Sequence, residues 1–210
     1  MSDEECIHHK SKQNKKIRQY IIAILIITFT ILLIFLITWA ILQPKKPHFL
    51  LQDATLFNFN ISSPNLVSSN FQITLTSHNP NERIGLYYDN LNAYAVYQNQ
   101  QITFFTAVPP VYQGHKGTNV WSPFLYGVDV PIAPYNGVTL RQDQTEGVTK
   151  LLIKIDGRVR WKVGAFTTGR YHIRIRCQAI INFGNRVSDG VFVSSGAVKY
   201  QLYKSCGVSV

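Results

Sequence analysis

An uninterrupted apolar stretch from Tyr20 to Leu42 constrains this chain more than any other feature. Its 23 residues carry no charge, and as a helix they are about 34 Å long, enough to cross the ~30 Å hydrocarbon core of a bilayer. A secretory signal peptide has a shorter apolar region and a small-residue cleavage site, which Trp39-Ala40-Ile41 does not supply. Because a backbone inside lipid must satisfy its own hydrogen bonds, the stretch predicts one membrane-spanning helix at residues 20–42.

The basic residues that flank the span predict its orientation, because lysine and arginine are enriched on the cytoplasmic side. Before the span stand Lys10, Lys12, Lys15, Lys16 and Arg18, and just after it only Lys45 and Lys46. We therefore expect a type II protein with its N-terminus in the cytoplasm. Residues 1–19 contain almost nothing apolar and predict a basic, disordered cytoplasmic tail. Whether this tail also contacts anionic lipids or is only a topology signal stays open.

The residues after the span fit one exterior domain. A stalk at 43–49 contains two prolines, which end the helix, and residues 50–210 are enough for a single core. Cys177 and Cys206 both lie on the predicted exterior side, where disulfides persist, so we expect them to pair, with two free thiols as the alternative. Asn60 begins the only N-x-S/T sequon and is a candidate glycosylation site.

Alternating apolar residues predict that this domain is built from strands. Phe71, Ile73 and Leu75 alternate with polar residues, as in a strand with one buried face. The sequence also predicts a hairpin around 98–100, turns at 78–81, 156–157 and 185–190, and a polar loop or at most two helical turns at 138–147. The predicted fold class is therefore all-β, a single antiparallel β-sandwich behind one N-terminal transmembrane helix.

Two late strands each carry basic residues on one face. They are Arg158, Arg160 and Lys162 on the first strand and His172, Arg174 and Arg176 on the second. If the strands are neighbours, these side chains form a positive stripe that can hold anions such as acidic polysaccharide, acidic protein patches or lipid headgroups. The alternative is a solvated sheet face without a ligand. Like charges opposite each other across strands are destabilising, which favours a binding role.

Other functional classes lack their characteristic residues. The formal net charge of +10 is divided by the span, and no zinc-finger, helix-turn-helix or aromatic RNA-binding motif accompanies it, so we expect no nucleic-acid partner. The sequence contains no GxSxG, HExxH, CxxC or phosphate-loop motif, and its histidines and carboxylates are scattered. We therefore expect neither enzymatic activity nor a metal or cofactor.

Four motifs in a fixed order resemble those of a known family. They are HNPN at 78–81, PPVYQGH at 109–115, DGRVRWKVG at 156–164 and GRYHI at 169–173. This order, behind a basic tail and one span, resembles the plant harpin-induced-like (NHL) family, membrane proteins that carry a late-embryogenesis-abundant group 2 (LEA-2) domain. The resemblance covers the span and nearly all of the exterior part.

The resemblance implies a LEA-2 sandwich of immunoglobulin or fibronectin type III character, with cysteines at the positions of Cys177 and Cys206. It implies a location at the plasma membrane or plasmodesmata and a non-enzymatic role in plant defence or at the boundary between membrane and wall. The expected partners are the lipid bilayer, receptor-like or other defence membrane proteins and acidic cell-wall polysaccharide, and self-association as a homo-oligomer is left open. A lipid-binding or dehydration-protective module is the alternative function.

Overall fold

The computed structural model describes residues 3–42, 44–62, 65–182, 190–193 and 197–210, without the side chains of 3–16, 38–42 and 190–193. The chain divides into two compact units, Met1–Gln43 and Pro44–Val210. The elements in chain order are α1 (Asp3–Leu42), β1 (His48–Ser62), β2 (Leu66–His78), β3 (Ile84–Tyr97), β4 (Gln100–Gln101), β5 (Thr106–Val108), β6 (Val111–Gln113), β7 (Thr118–Trp121), β8 (Phe124–Pro131), α2 (Pro134–Glu146), β9 (Val148–Val163), β10 (Phe166–Thr167), β11 (Tyr171–Asn182), β12 (Gly190–Val193), β13 (Ala197–Ser205) and β14 (Gly207–Ser209).

The first unit is the helix α1. Its apolar part, Ile17–Ile37, is 21 residues long with exposed side chains, which is compatible with a single pass through a membrane. The helix begins at Asp3, so the structure replaces the disordered tail predicted for residues 1–19 with helix over the described part of that segment. Composition alone misses this because glutamate, lysine and glutamine are good helix formers, and an existing helix gains one hydrogen bond for each residue added.

The second unit is a sandwich of two antiparallel sheets, which confirms the predicted fold class. The first sheet has the order β12-β13-β1-β2-β7, with β8 also paired to β2. The second has the order β14-β11-β9-β3-β4, with β10 paired to β9 and both β5 and β6 paired to β3. β1 already begins at His48, within the segment that the sequence assigned to the stalk.

A single hydrophobic core fills the space between the sheets. Phe71, Ile73 and Leu75 of β2 are at most 1% exposed, as their alternation predicted. The facing residues of β9 and β11 are Leu151, Ile153, Ile155, Val159, Ile173, Ile175, Ala179 and Ile181, all buried. Full burial of one such aliphatic side chain contributes roughly 1.5–3 kcal/mol, so this facing set is a main source of stability.

Two of the predicted turns are present. Residues 78–81 join β2 to β3, and Gln98 and Asn99 connect β3 to β4. Both Gln98 and Asn99 have positive φ, 43° and 66°, as a type I′ hairpin turn requires. The turn predicted at 185–190 lies outside the described residues, apart from Gly190 at the start of β12.

The turn predicted at Asp156-Gly157 is wrong, because β9 runs through these residues without interruption. The neighbouring strand β3 bulges at this point, where Asn90 takes a positive φ of 46°. A Cβ on Gly157 would lie 2.5 Å from Leu91 Cδ2 and 2.8 Å from the carbonyl oxygen of Asn90. The glycine is therefore required for the close approach of the bulge and not for a change of chain direction.

The helix α2 is longer than the sequence predicted, with 13 residues instead of at most two turns. It begins at Pro134 and ends at Glu146, because the next residue, Gly147, has the left-handed conformation, φ 85°, that stops helices. Leu140 is fully buried, and the Asp143 carboxylate accepts a hydrogen bond from the Tyr97 hydroxyl at 2.9 Å. These tertiary contacts, and not a repeating apolar pattern, stabilise the helix, so periodicity could not reveal its length.

A disulfide joins Cys177 to Cys206, as predicted. Cys177 lies on β11 in the second sheet, whereas Cys206 lies between β13 of the first sheet and β14 of the second. The bond therefore holds the point where the chain crosses from one sheet to the other.

We expect Gly157→Ala to lower the free energy of unfolding by roughly 2 kcal/mol or more, because the new methyl group meets backbone that cannot move aside. Gly169→Ala is the matched control, since no atom lies within 4 Å of its added Cβ. Denaturant unfolding of both variants checks this expectation. Equal stability of the two variants would show that the bulge does not need a glycine opposite it.

Candidate functional site

The candidate site is the outer face of the second sheet, where β9 and β11 pair as neighbours. The outward residues that face each other are His172 and Arg158, Arg174 and Asp156, and Arg176 and Lys154. The two basic strands are therefore neighbours, as the predicted positive stripe required. The register also adds Lys154, which the sequence interpretation had not included.

We define the cationic cluster as Lys154, Arg158, His172, Arg174 and Arg176. Lys154 is half-buried and the other four are exposed. Among the described residues, none of the five forms an ion pair with a carboxylate. Two opposed pairs, His172 with Arg158 and Arg176 with Lys154, bring basic side chains together without an intervening acid. The surface is therefore cationic and available to an anion.

The cationic cluster is a linear array. Residues two apart on a strand are separated by about 6.8 Å, and neighbouring strands by about 4.8 Å. His172, Arg174 and Arg176 therefore extend over about 14 Å along β11, with Arg158 and Lys154 beside them on β9. Guanidinium groups bind carboxylates with two parallel hydrogen bonds, so a linear row of them can contact several carboxylates of one extended anion.

Asp156 is the one acidic residue on β9 within this array. Its Oδ2 accepts a hydrogen bond of 2.7 Å from the Tyr94 hydroxyl. Burial, together with this bond, raises the pKa of Tyr94 to about 12, so Tyr94 stays protonated and remains a donor. Asp156 is thereby oriented toward β3, and the cluster keeps an excess of positive charge.

Arg160 lies outside the cationic cluster, although the sequence placed it in the stripe. Its Nε donates to Asp89 Oδ2 at 2.6 Å and its Nη2 donates to Asp89 Oδ1 at 3.0 Å. This hydrogen bonding lowers the pKa of Asp89 and raises the pKa of Arg160. The guanidinium carbon also lies 5.1 Å from the centre of the Tyr87 ring. The charge of Arg160 is therefore already used within the protein.

Lys162 lies against the same Tyr87 ring as Arg160 and also against Tyr112. Its ammonium lies 5.9 Å from the Tyr87 ring centre and 5.2 Å from that of Tyr112, and the two ring centres are 4.5 Å apart. Tyr112 comes from the PPVYQGH motif and reaches this face through β6, which pairs with β3. The predicted stripe is thus divided into the open cationic cluster and a second group, in which Arg160 is paired with Asp89 and Lys162 lies against two tyrosine rings.

The stripe predicted from the sequence omits Lys154 because Asp156-Gly157 has the composition of a tight turn. Such a turn places Lys154 on a different strand from Arg158. Alternation continues unbroken through Lys154, Asp156 and Arg158, and this period-two pattern was the signal for one long strand. Asp89 was not recognisable as the partner of Arg160, because the two residues are 71 positions apart.

Asn60 is exposed on β1, where it faces Ser68 of β2. Among the described residues, β13 pairs with β1 only as far as Leu56, and Asn60 pairs with β2 alone. The side chain is exposed to solvent, and glycosylation of Asn60 stays a prediction.

No catalytic or metal-binding arrangement is visible in the part of the chain that the structure describes. It contains no group of three His, Cys, Asp or Glu residues that could hold a metal ion. Burial raises the pKa of Tyr88, Tyr97 and Tyr200, so these hydroxyls stay protonated and none is poised as a general base. The expectations of no enzyme, metal or cofactor remain predictions.

Comparison with known proteins identifies close relatives. The sequence profile described as Late embryogenesis abundant protein (LEA-2) matches residues 74–179. The chain is 56% identical to NDR1/HIN1-like protein 1 of Arabidopsis thaliana over 99% of this chain and 100% of that protein. It is 52% identical to NDR1/HIN1-like protein 12 of the same plant over 100% of both chains.

Replacing Asp89 with asparagine is expected to lower the free energy of unfolding near neutral pH. It should also make that free energy change less as the pH falls into the acid range. Because the folded pKa of Asp89 is lowered, its contribution to stability is complete above the ordinary carboxyl value of 3.8 and is lost as pH falls through the lowered value. The stability difference between wild type and Asp89→Asn should therefore be largest near neutral pH and shrink below about pH 4.

Urea unfolding over this pH range measures the difference. Glu82→Gln is the control, because the Glu82–Lys116 pair is at the surface, with side chains 78% and 55% exposed, and should contribute little. A stability difference for Asp89→Asn that stays constant between neutral and acidic pH contradicts the assigned role of the ion pair.

Proposed function

Because this chain belongs to the LEA-2 family, among its NDR1/HIN1-like members, we propose that it is a non-enzymatic, single-pass membrane protein that acts in plant defence. Its sandwich domain binds an anionic partner on the outer side of the membrane. The single observation that carries this proposal is the cationic cluster, which has four lysine or arginine residues, one histidine and no ion pair among the described residues.

The ligand that suits the cluster best is a linear acidic polysaccharide of the cell wall. A polyuronate carries one carboxylate on each sugar, so several guanidinium groups can bind one chain at once. The linear arrangement of His172, Arg174 and Arg176 along β11 supports a ligand of this extended form. An acidic surface on a receptor-like or other defence membrane protein is the alternative ligand for the same cluster.

The location that follows is the plasma membrane, including plasmodesmata, with the N-terminus in the cytoplasm. The excess of basic residues before the span supports this type II orientation. The apolar helix α1 supports a single pass. A wall polysaccharide is accessible only to a domain on the exterior side, so the orientation and the ligand are mutually consistent.

A lipid-binding function is the second candidate, and one observation favours it. A shallow depression of about 480 Å³ on the same sheet face is lined by Val96, Leu152 and Ile180 among other residues. Leu152 is two residues from Lys154, so an amphiphile could place its anionic group on the cluster and its apolar part in the depression. Mass spectrometry of lipids that co-purify with the protein tests this alternative.

The full-length protein in nanodiscs of neutral phosphatidylcholine is expected to bind polygalacturonate with an affinity that falls as salt rises. The double variant Arg174→Glu/Arg176→Glu should bind roughly tenfold more weakly or worse, because it removes two charge-assisted contacts and adds repulsion. Calorimetry or interferometry on the immobilised discs measures both.

The matched control is Lys46→Glu/Arg83→Glu, which makes the same change in charge away from the cluster. It should bind polygalacturonate like the wild type. Equal losses in the two double variants would mean that only net charge matters and that the cluster is not the site. A wild-type affinity that does not change with salt concentration would contradict an electrostatic mechanism.

Asn60 is expected to carry a glycan when the protein is made in plant cells. Treatment with an N-glycosidase should shift the mobility of the wild type and leave Asn60→Gln unchanged. A second variant, Gly164→Asn/Phe166→Thr, adds a sequon in an exposed turn where φ is 57°, a conformation that asparagine tolerates. Absence of a glycan at both positions would contradict the exterior placement of the domain.

A further inference from the structure

The first residues after the membrane segment are fastened to one end of the sandwich. The backbone N–H of Lys45 donates to Asn81 Oδ1 at 2.8 Å, and Asn81 Nδ2 donates back to the Lys45 carbonyl oxygen at 2.7 Å. Asn81 Nδ2 also donates to Asn79 Oδ1 at 2.9 Å. We define the asparagine clamp as Lys45, Asn79 and Asn81.

The asparagine clamp is itself anchored in the domain. Asn79 Nδ2 donates to the carbonyl oxygens of Ile84 and Gly114, at 2.8 and 2.9 Å. Both Asn79 and Asn81 are buried, so replacing either would leave buried polar groups without partners. Lys45 is therefore part of the rigid domain and does not belong to a free linker.

The surface around the asparagine clamp is cationic. Lys45, Lys46 and Arg83 have exposed side chains, and none of the three forms an ion pair with the described carboxylates. The nearby acid Glu82 is 3.2 Å from Lys116, so these two charges offset each other. Three uncompensated positive charges remain at this end of the domain.

The covalent chain keeps Lys45 close to the end of the apolar stretch. Only Gln43 and Pro44 separate Leu42, the last residue of the apolar stretch, from Lys45. Three residue steps span at most about 11 Å. A charged side chain within a Debye length of an anionic bilayer, about 8 Å at physiological salt, is attracted to it.

We propose that the exposed cations next to the asparagine clamp, Lys45, Lys46 and Arg83, form a binding surface for anionic lipid headgroups. The partner is a bilayer surface that carries phosphate groups, and Lys and Arg contacts to phosphate oxygens supply the attraction. The clamp fixes the first two cations to the domain, so lipid binding restrains the domain itself. This surface is separate from the cationic cluster and does not depend on the proposed polysaccharide ligand.

The test uses the full-length protein in two kinds of nanodisc, one of phosphatidylcholine alone and one with about a third of phosphatidylglycerol as the anionic probe. Hydrogen exchange followed by mass spectrometry reports on the backbone at 44–50 and 78–84. We expect exchange in these segments to be roughly fivefold slower in the anionic discs, and we expect high salt to abolish the difference.

Two variants with the same change in charge decide whether the surface is specific. Lys45→Glu/Lys46→Glu/Arg83→Glu should lose the protection, and the corresponding glutamine variant should lose most of it. Lys154→Glu/Arg174→Glu/Arg176→Glu, in the cationic cluster, should keep it. Unchanged exchange of the core strands β9 and β11 verifies that each variant is folded.

Three results would overturn the proposal. The first is equal exchange of the wild type in the two kinds of disc. The second is loss of protection in the cluster variant alone, which would move lipid binding to the cationic cluster. The third is full protection in the glutamate variant, which would show that these three cations do not contribute. Each of these results leaves the polysaccharide test independent, because that test uses neutral discs.

Discussion

The sandwich and its candidate site both depend on the unbroken antiparallel pairing of β9 with β11. Twelve consecutive residue pairs, from Tyr171 with Val159 to Asn182 with Val148, fix the register. A slip by one residue would exchange the two faces of a strand and turn Arg174 and Arg176 into the core. Burying unpaired guanidinium groups is so unfavourable that the register is strongly specified. The same constraint that builds the core therefore also assembles the cationic cluster.

Two further contacts hold the chain in this arrangement. One is a disulfide where the chain crosses between the sheets, and the other is the asparagine clamp just after the membrane helix. The Cys177–Cys206 bond attaches the crossing between the sheets to β11, the strand that supplies most of the cluster. In the chain-entropy description, a loop of 29 residues gains roughly 3.6 kcal/mol from such a bond. The asparagine clamp attaches the segment that leaves the membrane helix. The cationic cluster is thus presented on one face of a rigid sheet.

Much of the fold could be predicted from the sequence because local patterns specify it. The apolar stretch required a helix, and alternation on β2 and β11 required strands with one buried face. The errors arose where tertiary contacts override local composition. Gly157 has turn chemistry but serves the bulge at Asn90, and α2 is held by Leu140 and its two ends and has no apolar stripe.

The candidate site was predictable in part. Arg158, Arg174 and Arg176 lie on one face of the sheet, as the alternation along their strands required. That the two strands are neighbours could be learned only from the order of strands in the sheet. Arg160 alternates in the same way, yet its charge belongs to Asp89 on another strand. Pairing between residues far apart in the chain leaves no trace in a single sequence. This is why charge patterns identify a cationic face but not which of its charges are free.

Chemical footprinting of arginine tests most directly whether the cationic cluster binds the ligand. Phenylglyoxal modifies free guanidinium groups, and mass spectrometry follows each arginine of the full-length protein in neutral nanodiscs with and without polygalacturonate. We expect the ligand to slow modification of Arg158, Arg174 and Arg176 and to leave that of Arg83 unchanged. Arg160 should react slowly even without ligand, because its guanidinium is paired with Asp89. Protection of Arg83 alone, or equal protection of every arginine, would contradict the assignment of the cationic cluster as the binding site.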